Sequence, residues 1–79
     1  MKLPRNIDAP QLIKALQKYG YLPSRQTGSH IRLTTQQNGQ HHITIPNHDP
    51  LRIGTLNAIL TDVAQHLGVS RQKVAEELF

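Results

Sequence analysis

The sequence predicts an α+β fold: a helix, three antiparallel strands, a second helix and a short third one. Three observations predict it. Apolar residues recur at helical spacing near residues 12–19 and again near 56–67. Between them the period drops to two, with Ile31 and Leu33, then Ile43 and Ile45, alternating with polar neighbours. Gly20, Gly28, Gly39 and Gly68 fall where one pattern gives way to the next. Helices packed on one face of such a sheet make a two-layer sandwich.

The first helix opens at Asp8-Ala9-Pro10-Gln11, with Asp as N-cap, Pro in the first turn and Gln placed for a capping box. Leu12, Ile13, Leu16 and Tyr19 form its apolar stripe, and Gly20 stops it. The first strand, from Tyr21 to Gln26, contains Pro23, which cannot donate to a ladder and suits a sheet edge. The next two strands carry the Ile31/Leu33 and Ile43/Ile45 alternations. A second helix from about Thr55, with Thr55 as N-cap, buries Leu56, Ile59, Leu60, Val63 and Leu67 and ends at Gly68. Ser70 caps the last helix, with Val69 and Val74 as a hydrophobic staple.

The register of the second hairpin follows from side-chain alternation. A two-residue Asn38-Gly39 turn would set Leu33 against Thr44, a core residue against a solvent residue. Directly opposed residues share a face, so that pairing fails. Leu33 against Ile43 and Ile31 against Ile45 repairs it and leaves the loop Gln37-Asn38-Gly39, with Gly39 left-handed. His30, Arg32, Thr34, His42 and Thr44 then share the face turned away from the core.

Size and composition narrow the function. The 79 residues suffice for one domain, 1–79, with a modest aliphatic core. Phe79, Tyr19 and Tyr21 are the only aromatic residues and there is no Trp, so a stacking platform for bases is poorly supplied. The absence of Cys excludes disulfides, thiolate metal sites and a Cys nucleophile, and suits the cytoplasm. No apolar run approaches a membrane span, and Met1-Lys2-Leu3-Pro4-Arg5 leads into no signal-peptide core. A formal charge of +4 favours polyanionic partners, nucleic acid or an acidic protein.

His30 is the first candidate for chemistry, because it leaves the Gly28-Ser29 turn at the mouth of a strand. Histidine donates and accepts protons near neutral pH without tuning. His30 could take a proton from a ribose 2′-OH or give one to a leaving 5′-oxygen, help worth roughly 10²–10⁴-fold. The plainer alternative is a solvated histidine on an open sheet. Arg25, Arg32, Lys14, Lys18 and Arg52 could hold phosphates or form a generic basic surface; Arg32 lies two residues from His30 on the same face. His41 and His42 point to opposite faces of a strand, which disfavours a shared metal ion. His48 follows a strand in a loop, and His66 on the flank of the second helix reads as solvated. A competing reading is a helix-turn-helix from Val63 to Val74, although its second helix is short and carries Glu76 and Glu77.

The ordered set of motifs resembles the HicA family, small toxins of bacterial and archaeal toxin–antitoxin pairs. The matching residues are Leu16 to Gly20-Tyr21; Arg25-Gln26-Thr27-Gly28-Ser29-His30; Thr44-Ile45-Pro46 followed by His48; and Gly54-Thr55-Leu56 with Ile59-Leu60. The resemblance implies a double-stranded RNA-binding-domain-like α-β-β-β-α sandwich. It also implies a metal-independent ribonuclease that cleaves mRNA, needs no cofactor and is inhibited by a HicB antitoxin. The family's essential histidine maps onto His30, with Gly28 and Ser29 as motif neighbours. The RNA-binding set expected with it is Arg25, Ser29, Arg32, Lys14, Lys18 and His48. A second proton-transfer group is not named: His48, a lysine or water could serve. A non-catalytic nucleic-acid-binding module remains the alternative.

Overall fold

The computed structural model describes residues 6–79; the reading of Met1–Arg5 lies outside the described residues. Helix α1 runs from Ala9 to Leu16. Its capping box is complete: the Gln11 backbone N–H donates to the Asp8 carboxylate at 2.8 Å, and the Asp8 N–H donates to the Gln11 side-chain oxygen at 2.9 Å. The helix tightens into a 3₁₀ turn at Gln17–Tyr19 and ends on Gly20 at φ 79°. That position needs glycine twice over, because a Cβ there would stand 2.9 Å from Thr35 Oγ1.

Strands β1 (Leu22–Thr27), β2 (His30–Thr35) and β3 (His41–Pro46) form one antiparallel sheet in the order β1-β2-β3. The predicted β2–β3 register holds, with Leu33 opposite Ile43 and Ile31 opposite Ile45. The ladder stops at Thr35–His41, so the loop is two residues longer than expected, and both Asn38 and Gly39 have positive φ. Strand β1 lies at an edge, and its pairing with β2 skips a residue between Pro23 and Arg25. The bulge accommodates the residue that Pro23 leaves without a regular ladder.

Helix α2 (Ile53–Leu67) begins two residues before the expected start. Arg52, not Thr55, is the cap: its backbone is extended, it offers no side-chain bond, and its carbonyl accepts from the Leu56 N–H at 2.9 Å. The α-helical ladder is therefore already running when the chain reaches Thr55. Gly68 ends α2 in the left-handed conformation, and Ser70 caps α3 (Arg71–Leu78) by accepting from the Lys73 N–H at 3.1 Å. Val74 is buried and Val69 packs partly buried against the core, as the staple requires.

The α+β order matches a double-stranded RNA-binding-domain-like arrangement, with the helices on one side of the sheet. Leu12 and Leu16 of α1, Leu33, Ile43 and Ile45 of the sheet, Leu56, Leu60 and Val63 of α2, and Val74 of α3 form one apolar core. Burial of this side fixes which residues of each strand face away from it.

Two histidines tie the sheet to α2. His41 Nδ1 lies 2.8 Å from the buried Tyr21 hydroxyl and His41 Nε2 3.2 Å from Asp62 Oδ1. With the proton on Nε2, Tyr21 donates to Nδ1 and Nε2–H donates to Asp62. His66 corrects its expected role as a solvated residue: its Nε2–H is shared between the Gln37 and Gly39 carbonyls at 2.9 and 3.0 Å. Its ring also stacks on His41 with centroids 4.3 Å apart. The longer β2–β3 loop folds back far enough to place those carbonyls against the end of α2.

Candidate active site

The open face of the sheet is organised in three cross-strand rows. The first holds Thr27, His30 and Pro46, the second Arg25, Arg32 and Thr44, and the third Leu22, Thr34 and His42. Gly28, at φ 57°, and Ser29 form the two-residue turn that starts the first row. A glycine at the first central position suits a hairpin turn whose twist matches the strands. The Asn47 N–H donates to the Ser29 carbonyl at 2.6 Å, which binds this turn to the exit of β3.

Arg25, Thr27, His30, Arg32 and Thr44 line one depression on this face. His30 is exposed, and its ring makes no hydrogen bond among the described residues, so both nitrogens are open to a ligand. Arg25 and Arg32 stand directly opposite each other. Like charges so placed disfavour the sheet. Neither arginine has an ion-pair partner among the described residues. The rows contain no Asp or Glu, so the site is a cationic concavity suited to a dianionic or polyanionic guest.

The structure brings together three of the expected residues, Arg25, His30 and Arg32, with Ser29 in the adjoining turn. Lys14 lies exposed on α1, and Lys18 Nζ donates to the Glu77 carbonyl at 2.6 Å; neither lines the depression. His48 is exposed just beyond β3, with its backbone carbonyl accepting from the Ala9 N–H at the start of α1, and it too is outside the lining. Thr27 is the lining residue that sequence reasoning passed over. Its signal was the Gly28-Ser29 turn, since counting outward from two turn residues sets Thr27 opposite His30.

His41 and His42 do face opposite sides, and among the described residues no cluster of three or more His, Cys, Asp or Glu side chains is placed to hold a metal ion. The segment Val63–Val74 is a helix, a Gly68 turn and a helix, but Val74, Ala75 and Leu78 of α3 are committed to the core. No described helix is long and apolar enough to cross a membrane.

With this geometry in view, residues 9–65 match the model of a family described as HicA toxin of bacterial toxin-antitoxin. The chain belongs to the HicA toxin family. It is thus a toxin component of a toxin–antitoxin system, and an antitoxin partner comes with that assignment. The matched span contains α1, all three strands, the three open-face rows and most of α2; α3 follows it. No curated protein and no solved structure gave a match.

Proposed function

We propose that this chain is a single-domain, metal-independent endoribonuclease that cleaves mRNA and is held in check by a HicB antitoxin. The observation that carries the reading is the open depression in which His30, unbonded among the described residues, stands beside two opposed arginines with no ion-pair partner among them. RNA lies across the sheet with a phosphate at Arg25 and Arg32. The ribose 2′-oxygen attacks phosphorus, the 5′-oxygen leaves, and the products carry a 2′,3′-cyclic phosphate and a 5′-hydroxyl. His30 serves as general acid or base for one of the two proton transfers. The guanidinium groups offset the charge that builds on the non-bridging oxygens. Thr27 and Thr44 add hydroxyl donors to the same phosphate. Antitoxin capture covers this cationic face with an acidic or hydrogen-bonding surface.

The test is cleavage of RNA in EDTA by the wild-type chain and by His30→Ala. The variant is expected to lose about 10²–10⁴-fold in rate while keeping its thermal midpoint, since the ring makes no hydrogen bond among the described residues. Unchanged cleavage by the folded variant would remove His30 from the mechanism. No cleavage by the wild type would remove the enzyme reading.

A further inference from the structure

The third row of the open face lies beyond the arginines and takes no part in the mechanism above. Across it stand Leu22 on β1, Thr34 on β2 and His42 on β3. Leu22 is 56% exposed, one of two large hydrophobic side chains so open among the described residues. The bulge brings the Ser24 hydroxyl to within 2.7 Å of Thr34 Oγ1, which in turn lies 2.8 Å from His42 Nδ1. The Ser24 hydroxyl also reaches the Arg32 carbonyl at 3.3 Å.

This chain of hydroxyls can run in two directions. If Thr34 donates to His42 Nδ1, the outward Nε2 carries a proton and donates. If Nδ1 donates to Thr34, Thr34 donates to Ser24 and Ser24 donates to the Arg32 carbonyl, and Nε2 becomes an acceptor. The ring is held in place while its outer nitrogen can match either kind of hydrogen-bonding edge. Two strand spacings, about 9.6 Å, separate Leu22 from His42 across Thr34. An apolar wall and an imidazole wall over a hydroxyl floor suit a flat, polar-edged ring.

We propose that Leu22, Thr34 and His42 form a nucleobase subsite for an RNA nucleotide flanking the phosphodiester positioned at His30. The proposal rests on the ribonuclease reading and extends it. His30 and Thr34 are four residues apart on β2, about 13 Å, so a ligand that touches both ends is longer than one nucleotide. The path between them crosses Arg25 and Arg32 and meets no carboxylate. A single strand with phosphates over the arginines and a base over the third row satisfies all three rows together. An acidic peptide would answer the arginines but leave the adjustable donor–acceptor edge of His42 without a purpose.

The probes are a short labelled single-stranded RNA of mixed sequence and an abasic RNA of the same length. Both are titrated by fluorescence anisotropy against His30→Ala protein, which binds without cutting. Adding Leu22→Ser or His42→Ala to that protein is expected to weaken the base-bearing RNA about tenfold and to leave the abasic RNA unchanged. Thr34→Val, which keeps the side chain's shape and breaks the relay, should act in the same direction. Equal losses on both RNAs, or no loss on either, overturn the subsite. So does a loss confined to antitoxin binding, which would assign the row to the protein interface. If wild type cleaves RNA while these variants bind it normally, the subsite fails alone. If the wild type neither cleaves nor binds RNA, both readings fail together.

Discussion

Strand β3 opens with two adjacent histidines that the sheet sends to opposite sides. His42 joins His30 on the open face, while His41 turns inward to meet Tyr21, Asp62 and His66. The inner pair has its polar atoms engaged: both nitrogens of His41 and the Nε2 of His66 bond to protein atoms, and the two rings stack. His30 has no such partner among the described residues, and the outer nitrogen of His42 is unengaged. The contrast shows that histidine content alone says little about chemistry in a small basic protein. What separates a fastening histidine from a reactive one is whether the fold has already used its nitrogens.

The largest effect that tests this contrast comes from truncating the inner histidine. His41→Ala leaves the Tyr21 hydroxyl, on a fully buried side chain, without its partner and removes the stacking surface of His66. An unsatisfied buried hydroxyl costs about 1–3 kcal/mol, and lost packing adds to it. For a domain of this size a loss of about 2–3 kcal/mol lowers the thermal midpoint by roughly 10 °C or more. Calorimetry should show that drop for His41→Ala and none for His30→Ala, with RNA cleavage showing the opposite order below the melting range. A stable His41→Ala protein would mean that the inner cluster fastens nothing.

Alkaline titration separates the two regions more finely. Burial first, and the Asp62 carboxylate second, push the Tyr21 phenol from its ordinary 10.0 up to about 12. Between those values the unfolded chain has released the phenolic proton and the folded chain still holds it. Stability is therefore whole below pH 10 and falls as the pH rises toward 12, by roughly 2 kcal/mol in all. Tyr19 is raised as well, by burial and then by the nearby charge of Glu77, and its buried hydroxyl has no hydrogen-bond partner among the described residues. Tyr21→Phe isolates the two contributions: chemical unfolding followed from pH 9 to 12 should show a shallower slope in that variant. Asp62→Asn should shrink the slope slightly. An unchanged slope in Tyr21→Phe would assign the whole effect elsewhere.

Much of this architecture was legible in the residues, for reasons that can be named. Asp8, Pro10 and Gln11 sit so close together that local hydrogen bonding alone decides the start of α1. The β2–β3 register follows from Ile31, Leu33, Ile43 and Ile45, because a slip of one residue would bury the wrong face. The start of α2 was not legible: Thr55 is a better capping residue than Arg52, and backbone geometry set by the preceding loop overrode that preference. The role of His66 depends on an approach between Gln37, Gly39 and the end of α2 across more than 25 residues of chain, and no local pattern encodes it. The site divides in the same way. The turn at Gly28-Ser29 and the alternation of β1 and β2 place Arg25, His30 and Arg32 together, but the bulge at Ser24 decides where β1 presents Leu22. A bulge position cannot be counted from a turn.

The smallest effect concerns the loop that the inner cluster holds. Asn38 stands at φ 58°, a conformation that non-glycine residues adopt at a cost, and its side-chain amide donates to the His66 carbonyl at 2.8 Å. Asparagine answers both demands of this position, tolerating the left-handed backbone and supplying an acceptor of the α2 terminus with a donor. Asn38→Gly keeps the backbone comfortable and loses the bond, and it also gives the unfolded chain more freedom; together these cost about 1 kcal/mol. Asn38→Ala loses the same bond and adds strain, so it is expected to be the less stable of the two by roughly another 0.5–1 kcal/mol. Both variants leave the open face untouched, so their RNA cleavage should equal that of the wild type at a temperature where all three are folded. If Asn38→Ala matches or exceeds Asn38→Gly in thermal midpoint, the loop does not keep this conformation in solution, and His66 loses the carbonyls that distinguish it from a solvated residue.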